Sequence, residues 1–401
     1  MRPEEDLLLC CSRISMGCEN AERIKGLLRK EIDWVYLSQL ALRHGVMPLL
    51  YRGLRAVQRD VVPREIMDQL QKYFLANAGR NIFFTEALRH LLHLLEAHGI
   101  PGIPYKGPAL AASIYGDIAL RQFSDLDILV RKQDVLKCQD IMISEGYRPD
   151  FQLTDVNVKH YLRCRNELSF TRNDGRVIVE LQWEIVPRYF SVSIPYEYLW
   201  NGTHRSSRSG LGFRAISPEV ELIILCVHGT KELWARLLWV CDVAEFIRVN
   251  QELDWDWVIE LARALGSSRM LFLGLLLGKD LLDTSVPKKV MQQIEVDPVA
   301  GRLARQVNKR LFNGTNDASG IVKKSMFYLK TRERLRDRMR YCAHLVTTTT
   351  PGDWNLFSLP DYVFPLYVFL RPVRLATKYW LKPLGGILRS PKGSGLSYHK
   401  T

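Results

Sequence analysis

The chain has 401 residues, 47% of them hydrophobic, which is enough to bury a sizeable core over two or three domains and excludes a disordered protein. Its formal net charge is +13, and the excess is uneven: no acidic residue follows Asp361, whereas Arg371, Arg374, Lys378, Lys382, Arg389, Lys392 and Lys400 do. Eight scattered cysteines without a Cys-x-x-Cys pair exclude a zinc ribbon and a dithiol redox site.

At the N-terminus, Glu4, Glu5 and Asp6 precede a short apolar run, Leu7 to Cys11, whereas a secretory signal needs a basic start and a longer apolar stretch. A cytoplasmic protein with reduced thiols is expected, and the sequons at Asn201 and Asn313 then carry no weight. From Glu31 to Gly99 the pattern is helical: Trp34, Leu37, Leu40 and Ala41 keep one face apolar, and Phe84, Leu88, Leu91 and Leu95 do the same before Gly99 closes the helix. His90 and His93 have no third ligand at metal spacing and are read as ordinary helix residues.

Between Ile100 and Pro187 short extended runs alternate with helical ones. Ile103 to Lys106 reads as a strand, Pro108 to Tyr115 as a helix with proline in its first turn, Leu126 to Val130 as a buried strand and Asp134 to Glu145 as a helix stopped by Gly146. Glu167 to Arg172 and Arg176 to Trp183 read as strands of a hairpin turned at Asn173-Asp174-Gly175, where Asn and Gly tolerate positive φ. From Ser217 the chain is helical again, opened by Ser217 as a cap and Pro218 at the first helical position. The span Val363 to Leu370 falls far below the ~20 residues of a membrane helix, so no crossing of a bilayer is expected. The fold class is α+β: an N-terminal helical region over 1–99, a small mixed sheet with helices over 100–190, a C-terminal helical domain over 191–346, and a basic tail with short helices over 347–401.

Three features carry chemistry. Asp125-Leu126-Asp127 stands at the start of an apolar strand, where residues two apart face one way, and two adjacent anions call for a cation. Tyr105-Lys106-Gly107-Pro108 takes a strand end through glycine into a helix, a place where a lysine and backbone N–H groups hold phosphate, and Arg121 offers a second charge for it. The strand through Val177 carries one acid, Glu180, on a face shared with Ile178 and Gln182; beside the Asp125-Asp127 strand it would bring a third carboxylate to the same point.

With Lys106-Gly107, then Arg121 to Val130 as Arg-x-x-x-Asp-hydrophobic-Asp-hydrophobic-hydrophobic-Val, then Glu180 to Trp183 as acid-Leu-x-Trp, the chain resembles the uncharacterised nucleotidyltransferase family within the DNA polymerase β-like nucleotidyltransferase superfamily. Asp33-Trp34 with Ala41, His44 and Pro48-Leu49-Leu50 resembles its N-terminal helical region; His228 with Lys231, Trp234, Arg236, Leu238-Trp239 and Asp242 resembles its C-terminal helical motif; Pro351 to Tyr379 resembles the end of many members. The resemblance implies a nucleotidyltransferase core in which Asp125, Asp127 and Glu180 are catalytic and hold Mg²⁺ or Mn²⁺. It implies a nucleoside triphosphate bound through Lys106, Gly107, Arg121, His228, Lys231 and Arg236, and two-metal transfer of the nucleoside monophosphate to an unidentified acceptor. Two departures stand out: Gly107-Pro108 replaces a Gly-Ser or Gly-Gly turn and removes one N–H donor, and Gln182 stands where related sequences often have histidine. A non-catalytic nucleotide- or polyanion-binding module on the same fold is the alternative, and the basic tail suits contact with a polyanion or an anionic membrane surface.

Overall fold

The computed structural model describes residues 2–15, 17–57, 61–154, 158–200, 204–205, 212–312 and 321–347. The chain divides into two compact units, Met1–Leu335 and Arg336–Thr401, and the described part of the second is the helical stretch 336–347. The basic tail from Arg371 to Lys400, the span Val363 to Leu370, and Asn201 and Asn313 lie outside the described residues.

The first unit opens with five helices, α1 (Pro3–Cys11), α2 (Cys18–Leu28), α3 (Trp34–His44), α4 (Met47–Val57) and α5 (Arg64–Ala97). The apolar run of α1 is buried throughout, so it is a core helix. Asp33 caps α3, its carboxylate accepting the Tyr36 N–H at 2.9 Å. On α5 the stripe Phe84, Leu88, Leu91 and Leu95 is buried, as its spacing predicts. Gly99 ends the helix at φ +73°, a left-handed turn that lets the Ile100 N–H reach back to the Leu95 carbonyl at 2.9 Å. His90 is exposed and lies 2.9 Å from the Glu145 carboxylate, an ordinary surface pair.

The sheet follows: β1 (Ile103–Pro104), α6 (Gly107–Leu110) continued by a π-helical turn over Ala111–Tyr115, a 3₁₀ turn at Ile118–Leu120, β2 (Leu126–Leu129), α7 (Val135–Ser144), β3 (Tyr147–Pro149), α8 (Val158–Cys164), β4 (Glu167–Arg172) and β5 (Ile178–Gln182). The strand order is β1-β2-β5-β4-β3, with β2 and β5 parallel and the other pairs antiparallel. This mixed sheet flanked by helices is the expected α+β fold. Gly175 turns the β4–β5 hairpin at φ +71°. β1 is shorter than its apolar run suggests, because Tyr105 and Lys106 leave the ladder to enter the turn at Gly107.

The sheet's two faces differ. Leu126 and Ile128 of β2, Val179 and Leu181 of β5, and Leu168 and Phe170 of β4 are buried in one core with the α5 stripe and with Val135, Cys138 and Met142 of α7. The opposite face carries Asp127, Glu180, Gln182, Glu167 and Ser169, since register partners share a face. Ile103 and Leu129, at the β1 edge of that polar face, join the larger core built by the helices. Two buried asparagines of α5 fix the segment that leads into β2: Asn77 donates to the Ala119 carbonyl at 2.8 Å, and Asn81 to those of Ile118 and Arg121 at 2.6 and 2.8 Å.

After the sheet come α9 (Tyr196–Trp200), a small pair β6 (His204–Arg205) and β7 (Arg214–Ala215), then α10 (Pro218–Lys231), α11 (Leu237–Val249), α12 (Trp255–Leu265), α13 (Ser268–Leu282), α14 (Lys288–Glu295), α15 (Pro298–Phe312), α16 (Ile321–Thr331) and α17 (Leu335–Thr347). Pro218 opens α10 as expected, but the Ser217 hydroxyl makes no hydrogen bond and does not cap it. Among the described residues no helix is long and apolar enough to cross a membrane.

Candidate active site

Parallel pairing of β2 with β5 sets Asp127 directly beside Glu180. Two carboxylates at adjacent register positions repel, and a third anion, Glu167 of β4, lies across from Gln182 on the same face. Burial pushes the Glu180 carboxyl up to about 7, helped by the charges of Asp127, Glu167 and Asp125 and opposed by Lys106. Asp125, half-buried just ahead of β2, is raised for the same reasons, first burial and then Asp127, while Lys106 and Arg121 pull it down. The three predicted carboxylates therefore sit within electrostatic reach of one another.

Their direct partners are side chains. The Lys106 ammonium donates to Asp127 Oδ1 at 3.1 Å, and the Gln182 amide donates to the same oxygen at 2.7 Å and to Glu180 Oε2 at 3.1 Å. The buried Tyr105 hydroxyl donates to the Gln182 carbonyl oxygen. Gln182 thus bridges Asp127 and Glu180 from behind an aromatic anchor. Gly107 follows Lys106 at φ +53°, and a Cβ there would lie 3.3 Å from the Asp125 carbonyl oxygen. Glycine is needed because the turn passes close to the backbone that presents Asp125.

Arg121, expected at phosphate, is committed elsewhere. Its guanidinium forms a bidentate pair with Asp242 of α11, both contacts at 2.8 Å, and the Tyr115 hydroxyl donates to the same carboxylate at 2.9 Å. All three groups are buried. A guanidinium held by both forks of a buried carboxylate leaves little for a phosphate.

The remaining predicted residues divide. His228 packs edge-on against Trp239, ring centroids 5.8 Å apart, and is held well below the usual histidine range by burial and by the charges of Lys106, Lys231 and Arg121, so it belongs to the neighbourhood of the carboxylates as a neutral imidazole. Lys231 lies near His228, and its ammonium is 3.9 Å from Glu232. Arg236 is exposed at the start of α11, its guanidinium 6.0 Å over the Trp239 ring, and its charge acts on His44; it is not brought to the carboxylates.

Among the described residues no three His, Cys, Asp or Glu side chains are placed so that they could hold a metal ion together. Lys106 and Gln182 are seated on Asp127 instead. The donors still suit a hard divalent cation in kind: all are carboxylate oxygens, Asp127 and Glu180 share one sheet face with Asp125 just ahead of it, and added positive charge relieves their repulsion. Local spacing did not reveal Glu167 and Tyr115, nor the contacts of Tyr105 and Asp242. Glu167 was readable, because a tight turn at Asn173-Asp174-Gly175 dictates its register opposite Gln182; the Arg121–Asp242 pair spans 121 residues and leaves no local trace.

A model of the family described as uncharacterised nucleotidyltransferase matches residues 30–283, well over half the chain and all the residues of this site. No curated protein and no solved structure matches the chain.

Proposed function

Because the chain belongs to the uncharacterised nucleotidyltransferase family, we propose that it transfers a nucleoside monophosphate from a nucleoside triphosphate to an acceptor, on a DNA polymerase β-like core. The observation that supports this most is the parallel register of Asp127 with Glu180, with Asp125 just ahead of the strand. In this reading Asp125, Asp127 and Glu180 hold Mg²⁺ or Mn²⁺. When bound, that ion supplies Lewis-acid activation of the α-phosphate and a more acidic acceptor hydroxyl.

The chain's own residues do the rest. Lys106 brings positive charge to the phosphates, and Gly107 lets the turn come close to Asp125. Tyr105 orients Gln182, which keeps Asp127 and Glu180 aligned. Arg121 acts through Asp242 to fix the approach to β2, a positioning role in place of a phosphate contact. His228, kept neutral and packed on Trp239, adds no charge to the site. The free thiols among the described residues suit the reducing cytoplasm, where the triphosphate is found, and the basic tail is reserved for a polyanionic acceptor or an anionic surface.

The test is release of pyrophosphate from each of the four nucleoside triphosphates with Mg²⁺ or Mn²⁺, wild type against Asp127→Asn. Release that the variant loses by at least about a hundredfold, while circular dichroism shows it still folded at the assay temperature, is the expected result. Equal traces from both proteins with every nucleotide would overturn the transferase and favour the binding module.

A further inference from the structure

Asp127 is buried, and its Oδ1 accepts two donors, the Lys106 ammonium at 3.1 Å and the Gln182 amide at 2.7 Å. The amide orientation is dictated by its surroundings: turned over, the Gln182 oxygen would face two carboxylates, whereas as it stands that oxygen receives the Tyr105 hydroxyl and the NH₂ faces the acids. Lys106 also lies 4.9 Å over the Tyr105 ring, so the same tyrosine seats both donors.

One ammonium does not neutralise this face. The face carries Asp127, Glu180 and Glu167, with Asp125 just ahead of it. A divalent cation brings twice the charge and bonds carboxylate oxygen at about 2.0–2.1 Å for Mg²⁺. It would crowd out an ammonium on the same oxygen. Lysine is suited to leave, because it is a point charge on a flexible four-carbon stem, and here the stem adjoins the left-handed turn at Gly107.

We propose that Lys106 is an internal counterion that stands on Asp127 in place of a divalent cation and is displaced when that cation binds, becoming free for the triphosphate. The inference rests on the reading that Asp125, Asp127 and Glu180 take a divalent ion. It adds that the same lysine weakens binding of the bare ion and strengthens binding of the ion together with a triphosphate. Cation and nucleotide are then coupled through one side chain, with Tyr105 and Gln182 keeping the carboxylates aligned during the exchange.

The experiment is calorimetric titration of the full chain with Mn²⁺ alone, in the wild type and in Lys106→Met, Lys106→Arg and Asp127→Asn. Lys106→Met should bind Mn²⁺ at least about tenfold more tightly than wild type, and Lys106→Arg, which keeps the charge, should stay within about threefold of it. Acylation of Lys106 in the wild-type protein, read by peptide mass spectrometry, should rise when Mn²⁺ is added, which tests the displacement without any variant. If the wild type binds Mn²⁺ through Asp127 but Lys106→Met binds no more tightly, or if Mn²⁺ leaves Lys106 as protected as before, the counterion role is wrong and the metal reading survives. If neither the wild type nor Lys106→Met binds Mn²⁺ at millimolar concentration, the metal reading fails and takes this inference with it.

Discussion

Arg121 shows how a residue that stands close to a site in sequence finds its partner far along the chain. It stands four residues before Asp125, and from sequence that nearness suggested a phosphate ligand; in three dimensions both arms of its guanidinium close on Asp242. Burying this ion pair is justified only by its geometry and by the third donor, Tyr115. Arg121→Met should therefore cost about 3–5 kcal/mol, because Asp242 is left charged and buried with one hydroxyl, whereas Arg121→Met combined with Asp242→Leu should cost far less than the two single changes added together. Denaturant unfolding of the three proteins measures this, and simple additivity would mean that the two side chains do not act as a unit. The carboxylates were legible because chemistry and alternation coincide locally: Asp125 and Asp127 two apart, and Glu180 alone in an apolar strand. Their partners were less so. Gln182 looked like a departure from pattern and is the bridge between two acids, a role visible only once β2 and β5 are side by side.

Among the elements, the strands and the hairpin followed from apolar alternation and turn chemistry, and the α5 stripe followed from its 3.6-residue period. The joint between α10 and α11 did not. Leu233 and Trp234 both adopt positive φ, 59° and 53°, a conformation that nothing in their side chains favours. Tertiary packing imposes it: the Trp234 ring is fully buried, its indole N–H donates to the Thr230 hydroxyl at 3.2 Å, and it fills the space left by Gly229 and Gly274. Glycine inside a helix normally costs up to about 1 kcal/mol against alanine, so Gly229→Ala ought to stabilise on propensity alone. Here a Cβ would meet the Trp234 ring at 2.6 Å, and a ring enclosed on all sides cannot yield. Overpacking then decides the sign, and Gly229→Ala is expected to destabilise by about 1–3 kcal/mol. Thermal unfolding reads the result directly; a rise in melting temperature would show that the ring has room the packing does not suggest.

The helices that hold this joint are tied together over long sequence distances, and His44 is the tie most open to measurement. Its Nδ1 accepts the Leu237 N–H at the start of α11, at 3.2 Å, while Nε2 lies 3.0 Å from the Leu311 carbonyl in α15. An imidazole that accepts at one nitrogen and donates at the other must be neutral, and burial, with Arg43 and Arg236 nearby, lowers its pKa to about 4. Between that value and the ordinary one near 6.5 the unfolded chain binds the proton and the folded chain does not. Stability therefore falls as pH drops from about 6.5 to about 4, by at most roughly 3 kcal/mol from this residue, and is unaffected by it above that window. Two half-buried acids act in the opposite sense: Glu180, raised to about 7, and Glu221, raised to about 8, keep protons in the folded state that the unfolded state loses, so their contribution falls as pH rises from about 4.5. The wild-type profile alone mixes these terms. The difference between wild type and His44→Gln isolates one, since the acids are common to both proteins. That difference in unfolding free energy should climb from pH 4 to about 6.5 and then level off, because glutamine supplies a donor and an acceptor without a titration. A difference that stays flat across this window would mean that His44 is already protonated in the folded protein, and that the Leu237 N–H is not held by the imidazole.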